Sequence, residues 1–207
     1  MVLPQRLKAL HAVAAKAAEH FSTPVDKQRR RVAKAPKLRL PKPEPLSAHD
    51  VFYPCGLILE IPPKRAGLYG CTPEKAMTFA TTGGDGVHYS YLSSDELPPG
   101  VVPIVMTVPA NFNDENVVLA ESIDEFLGLG YHVGWFSLEQ VVYEPEEAPD
   151  YFAQPDPDDD DYEDKTARLE FLRSELGIKP VALSLKRIAK LTKRYASFLV
   201  VPDEPPD

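Results

Sequence analysis

The chain has 207 residues, 43% hydrophobic and 26% charged, with 22 prolines against 11 glycines and a formal net charge of −8. That is enough for one sizeable soluble domain or two small ones; no window reaches the roughly 18 apolar residues of a membrane-spanning helix, and Cys55 and Cys71 form neither a disulfide framework nor a CxxC pair, which fits reduced thiols in a cytoplasmic protein. The charge is segregated: residues 1–42 carry +9, 43–143 carry −10, 144–164 carry −11, 165–199 carry +7 and the last eight carry −3.

Residues 3–21 predict an amphipathic helix. Leu7, Leu10, Ala14 and Ala17 or Ala18 fall at helical spacing, in a stripe so rich in alanine that it should dock on something rather than nucleate a core. The basic start shows no secretory signal, because Lys16 and Glu19 interrupt its apolar residues; a transit-like amphipathic start stays open. Arg29-Arg30-Arg31 and the prolines at 36, 41, 43 and 45 read as an extended basic arm. Cys55 to Ile61 predicts a strand ending at Pro62-Pro63. Thr72-Pro73-Glu74 has the makings of a short helix opening. After Gly83-Gly84-Asp85-Gly86, a tight turn with positive φ at glycine and an Asx bond at Asp85, Val87 to Leu92 alternates: Val87, Tyr89 and Tyr91 on one face, His88, Ser90 and Leu92 on the other. Strands are expected at 103–108 and 116–122.

Two capping boxes follow, Ser122 with Glu125 and Ser137 with Gln140, each opening a helix, with Trp135 and Phe136 between them as core plugs. Residues 144–164 read as a solvated acidic linker. Helices are expected from about Lys165 to Leu176 and from Leu183 to Leu199, the second with Ile188, Leu191, Tyr195 and Phe198 as its apolar stripe. The expected organisation is a basic helix and arm over 1–45, a core over 46–145, the acidic linker over 146–164, and basic C-terminal helices and tail over 165–207.

The strings TFATTGGDGVHYSYL, PIVMTVPANFNDENVVLAESIDEFLGLG and GWFSLEQVVY, from about Tyr69 to Tyr143, resemble the SUKH superfamily in their order. That family includes a fungal regulator of cell-wall synthesis and many bacterial immunity proteins. The resemblance implies an α+β fold, with a central mostly antiparallel or mixed sheet flanked by helices, acting as a binding module without catalysis. Within it, Gly83, Gly84, Gly86 and Trp135 are structural hallmarks. The family's usual opening helix and Asn-Gly-Gly-like turn are replaced here by the Arg- and Pro-rich arm, and the helices beyond Asp164 lie outside its pattern.

The functional expectation is an immunity-type protein that occludes a basic bacterial toxin, steered by its acidic middle, with no membrane, metal or cofactor involved. Nucleic acid is disfavoured, because the acidic core repels phosphates. Candidate contacts are Asp85, Asp95, Glu96, Asp114, Glu115 and the run Asp158, Asp159, Asp160, Asp161. Two alternatives are weighed against it. One is a regulatory scaffold of the same fold that recruits partners through its charged arms. The other is a metal- or thiol-dependent hydrolase, drawing on Cys55, Cys71, His88 and His132 as a zinc set or on Cys71, His88 and Asp85 as a nucleophilic group.

Overall fold

The computed structural model describes residues 3–22, 45–65, 70–152 and 155–202. The basic arm and the acidic tail at Asp203, Glu204 and Asp207 lie outside them. Helix α1 (Gln5–Ser22) is followed by a 3-10 turn (Tyr53–Cys55), then β1 (Ile58–Arg65), β2 (Ala76–Thr81), β3 (His88–Leu92), β4 (Ile104–Thr107) and β5 (Asn116–Ala120). The rest is helical: α2 (Ile123–Leu129), a 3-10 turn (Phe136–Glu139), α3 (Gln140–Tyr143), α4 (Ala148–Tyr151), α5 (Tyr162–Leu176), α6 (Leu185–Arg194) and a last 3-10 turn (Ala196–Phe198). The fold is α+β. Its strands form one antiparallel meander in the order β1-β2-β3-β4-β5, in which each strand pairs with its neighbour in sequence.

The alternation in β3 places Tyr89 and Tyr91 on the face that builds the main core, and Leu92 in a smaller cluster on the other face. On the main face Phe79, Tyr89, Phe126 and Trp135 form an aromatic stack, with ring centroids 5.5 Å apart for Phe79–Phe126, 4.9 Å for Tyr89–Phe126 and 5.9 Å for Phe126–Trp135. Its polar atoms are satisfied inside: the Tyr89 hydroxyl donates to the Trp135 carbonyl at 2.7 Å, and the Trp135 indole donates to the Phe126 carbonyl at 3.0 Å. Helices α1, α2 and α5 complete this core, to which the acidic stretch also contributes Ala148 and Phe152. That stretch is therefore folded in part, with α4 inside it and α5 starting at Tyr162 rather than Lys165. Arg168 on α5 joins three elements: it donates to the Val51 carbonyl at 2.6 Å, pairs with Asp164 at 2.9 Å and covers the Phe21 ring at 4.7 Å.

The second face is apolar at one end, where Ala76, Leu92, Val105 and Val118 meet Leu191 and Tyr195. Towards the other end it carries a buried polar row. Thr78 bonds Ser90 at 3.0 Å, Thr107 donates to Asn116 at 2.8 Å, and His88 meets Thr72 at 2.9 Å. Helix α6 closes the β5 edge: the Val118 N–H, which faces away from β4, donates to Thr192 Oγ1 at 2.9 Å. An edge strand left open would invite pairing with another chain.

Several expected boundaries shift, each for a local reason. Pro62 and Pro63 do not end β1, because β1 is an edge strand, where a missing N–H is tolerated. Thr72-Pro73-Glu74 opens no helix: β2 begins at Ala76, and the Thr72 hydroxyl serves His88 instead. The Ser122 box forms, with Ser122 Oγ accepting from Glu125 N at 3.1 Å, but Glu125 reaches back to Glu121 N rather than to Ser122. The Ser137 box does not form, since residues 136–139 take a 3-10 turn without a side-chain cap. The last helix is shorter than expected, breaking at Tyr195 into the final 3-10 turn.

Candidate functional site

The β2–β3 turn, the β4–β5 turn and the 3-10 turn before β1 lie at one end of the sheet, as the pairs Ile58–Thr81, Thr81–His88, His88–Thr107 and Thr107–Asn116 require. The β2–β3 turn is held by Thr82, whose hydroxyl donates to the Gly84 carbonyl at 3.2 Å and accepts from Gly84 N at 3.3 Å. Gly83 and Gly86 have positive φ as the sequence predicts, and Asp85 joins them at φ 47°. The expected Asx bond at Asp85 gives way to Thr82, and Asp85 stands exposed at the turn's tip.

Two further glycines fix what surrounds that tip. Gly56 adopts φ 70°, and a Cβ there would sit 2.3 Å from the Phe136 nitrogen; at Gly134, φ 83°, it would sit 2.4 Å from the Cys55 carbonyl. With Trp135 N donating to that carbonyl at 2.7 Å, the backbones of 53–56 and 134–136 are pressed together. Such close approach demands glycine. It seats Trp135 in the core, 1% exposed, and turns its neighbour Phe136 outward, 54% exposed, beside Tyr53 at 59%. The expectation that Phe136 plugs the core is therefore corrected: the Gly134 turn leaves room inside for one of the two rings. Both outer rings border the turn, since a Cβ at Gly84 would meet the Phe136 ring at 3.6 Å and one at Gly83 the Tyr53 ring at 3.3 Å.

Two carboxylates share this place. Burial pushes the Glu139 carboxyl up, and the nearby Asp85 charge pushes it further. Tyr143, 43% exposed, is raised by burial and then by the same two acids, so all three groups lie within electrostatic reach of one another. No ion pair among the described residues neutralises Asp85 or Glu139. The surface extends both ways. Ser137 lines a cleft of about 280 Å³ with Asp150, Asp156 and Asp159. On the other side a groove of about 760 Å³ joins Val142 and Pro145 to Asp114 and Glu115 on the β4–β5 turn, where Phe112 is 80% exposed.

The candidate acids thus divide. Asp85, Asp114 and Glu115 lie on turns at the same end of the sheet, and Asp159 lines the cleft beside them. Asp158, Asp160 and Asp161 are exposed in the turn leading into α5, where Asp159 pairs with Lys165. Asp95 and Glu96 lie on the β3–β4 loop at the opposite end, and Glu96 is paired with Lys75 at 2.9 Å. The sequence reading missed Tyr53, Glu139 and Tyr143. The only signal for them was spacing: Glu139 and Tyr143 are four apart and so share a helical face.

The thiols and imidazoles do not assemble into a reactive group. Burial pushes the Cys55 thiol up to about 12 and raises Cys71 as well. His88 Nδ1 donates to the Gly86 carbonyl at 2.8 Å, and Nε2 accepts from the Thr72 hydroxyl, so neither nitrogen is left to take a proton from Cys71. Burial also lowers the His88 pKa. Among the described residues no three His, Cys, Asp or Glu side chains converge as a metal ion requires, and no helix is long and apolar enough to cross a membrane. Comparison of the chain with family models, curated proteins and solved structures finds no match.

Proposed function

We propose that this protein is a non-catalytic binding module of the immunity type, which occludes a basic toxin with the turn end of its sheet. The observation that carries the reading is the collar of Tyr53, Phe136 and Tyr143 around Asp85 and Glu139, two neighbouring carboxylates with no cation paired to them among the described residues. Exposed rings on a rigid backbone are low-entropy anchors, and truncating such an anchor typically costs about 2 kcal/mol or more of binding. Carboxylates that repel each other gain when a guanidinium or ammonium enters between them, and their field speeds encounter with a basic surface. The SUKH resemblance of residues 69–143 supports the same reading, because its hallmark turn at Gly83, Gly84 and Gly86 presents this collar.

The test is binding of the full-length protein to the toxin domain encoded beside it, with inhibition of the toxin as a second readout. The doubly substituted Asp85→Lys, Phe136→Ser protein should bind at least about 100-fold more weakly while keeping its fold. Glu96→Lys, at the opposite end, should change affinity less than about threefold. Equal binding by wild type and the double variant, or a wild-type protein that leaves the toxin active, overturns the proposal.

A further inference from the structure

Helix α1 holds a buried polar atom that has no partner. Its underside packs Leu7, Leu10, Val13, Ala14, Ala17 and Ala18 into the main core. His11 stands half-buried on the same helix, beside apolar side chains of β1, β2 and β3: Ile61, Pro62, Pro63, Met77 and Tyr91. Its Nε2 is sealed from water and meets no hydrogen-bond partner among the described residues. Such an atom is rare in folded proteins, and each case calls for a reason.

The two charge states of the ring differ sharply in this place. A neutral imidazole can turn its lone pair inward, but the imidazolium carries N–H on both nitrogens, so its Nε2–H would be buried without an acceptor. An unpaired buried charge costs far more than a buried neutral group. The surroundings offer no relief. His49, from the segment before β1, adds a like charge when it gains a proton, and its Nδ1 is committed to the Leu59 carbonyl at 2.8 Å. Asp50 beside it accepts from the Ser47 hydroxyl. Burial pushes the Tyr91 phenol of β3 up, so it supplies no anion, and β2 contains no charged residue. Glu60 on β1 is taken by Lys64 at 2.7 Å, Asp124 on α2 by Arg6 at 2.6 Å and Glu175 on α5 by Lys16 at 2.6 Å. Burial, and then His49, accordingly lower the His11 pKa.

Helix α1 can leave without dismantling the sheet. The strand order runs β1-β2-β3-β4-β5, so no strand pairing passes through α1. Its ties at the rim are the Arg6 and Lys16 ion pairs and the bond from Leu46 N to Ser22 Oγ at 2.9 Å.

We propose that His11 is an acid-operated release for α1: a proton on its ring, set among apolar side chains with no acceptor for Nε2–H, frees the helix from the sheet. Undocked, His11 titrates near the ordinary imidazole value of about 6.5; docked, it is held lower, so the undocked state binds the extra proton and gains weight as pH falls from the first value towards the second. Within that window each pH unit multiplies the undocked fraction by up to about tenfold. The device is separate from the collar and does not depend on the proposed docking function.

The experiment is amide hydrogen exchange of the full-length protein between about pH 7.5 and about pH 5, corrected for the intrinsic pH dependence of exchange. Protection factors at Leu10, Val13 and Ala14 of α1 should fall by up to about tenfold per unit below about pH 6.5. At about pH 5 they should lie at least about tenfold below those of Val105 and Met106 in β4, which exchange only when the sheet itself opens. In His11→Phe and His11→Gln, where the side chain takes up no proton, the fall should shrink to about twofold or less. Protection of α1 that stays flat with pH, that merges with that of β4, or that falls as steeply in a folded variant as in the wild type overturns the proposal. The first two results are read on the wild type, so they decide the matter even if neither variant folds.

Discussion

The two ends of the sheet treat two pairs of acids in opposite ways. Where β5 meets α6, Glu121 accepts from Arg194 at 2.7 Å, from the Tyr195 hydroxyl at 2.6 Å and from Arg187 at 3.3 Å, while Glu125 takes Arg187 at 2.5 Å. Every carboxylate there has a cation, and together they hold α6 over the β5 edge. At the turn end, Asp85 and Glu139 lie within electrostatic reach of each other with no cation paired to either among the described residues, beside rings turned to solvent. Paired acids secure the scaffold, and unpaired acids beside exposed rings are what a surface held ready for a basic partner requires.

The sharpest way to test that division is to truncate two adjacent rings. Trp135→Ala removes the centre of the aromatic stack, leaves the Tyr89 and Phe126 packing open and should destabilise the fold by about 3–5 kcal/mol. Phe136→Ala, one residue on, should cost far less, about 0.5 kcal/mol, since the residue is 54% exposed in the free protein. Urea unfolding monitored by circular dichroism distinguishes them. Two comparable losses would mean that Phe136 is structural and that the collar is no docking surface. An intermediate loss is expected from Glu121→Gln, which weakens three charge-assisted bonds at a partly exposed site, about 1 kcal/mol after allowance for solvent screening. That loss should shrink in high salt.

Much of the scaffold was legible in the chain because it follows local rules. The alternation in β3, the Ser122 cap, the alanine stripe of α1 and the positive-φ glycines at 83 and 86 all sit where period and turn chemistry place them. Strand β2 was not legible, and its register shows why. Thr78 pairs with Ser90 and Ala80 with Tyr89, so Phe79 is an extra residue, and the bulge sends both Phe79 and Ala80 into the main core. That breaks the two-residue period on which a strand is recognised. The collar was hidden for another reason. Tyr53, Asp85, Phe136 and Glu139 come from three separate segments, and what joins them is the backbone contact at Gly56 and Gly134, a tertiary fact with no local signature. The acids named from charge alone mixed free groups with paired ones, as Asp85 and Glu96 show, because a count of charges does not record which have partners.

The finest distinction between the two ends lies in their response to acid. Glu121 is held below the usual carboxylate range, chiefly by the Tyr195 hydroxyl and also by Arg194 and Arg187. A depressed folded-state pKa contributes stability that is present above the unfolded value and lost as pH falls through the folded one, so the α6 clasp weakens as pH drops below the ordinary glutamate range. Glu139 runs the other way. Its folded pKa is raised, the folded state binds its proton more tightly than the unfolded chain does, and its contribution to stability improves as pH falls from neutrality through the raised value. Carboxyl-carbon titration by NMR should therefore show Glu139 protonating before Glu121. In Asp85→Asn the Glu139 midpoint should drop only part of the way to an ordinary glutamate, because burial is the larger cause and Asp85 the smaller. The same variant should gain a few tenths of a kcal/mol at pH 7, about what relieving one solvent-screened like-charge contact is worth. A Glu139 midpoint unmoved by Asp85→Asn would mean that the two carboxylates do not share a site and that no partner cation seats between them.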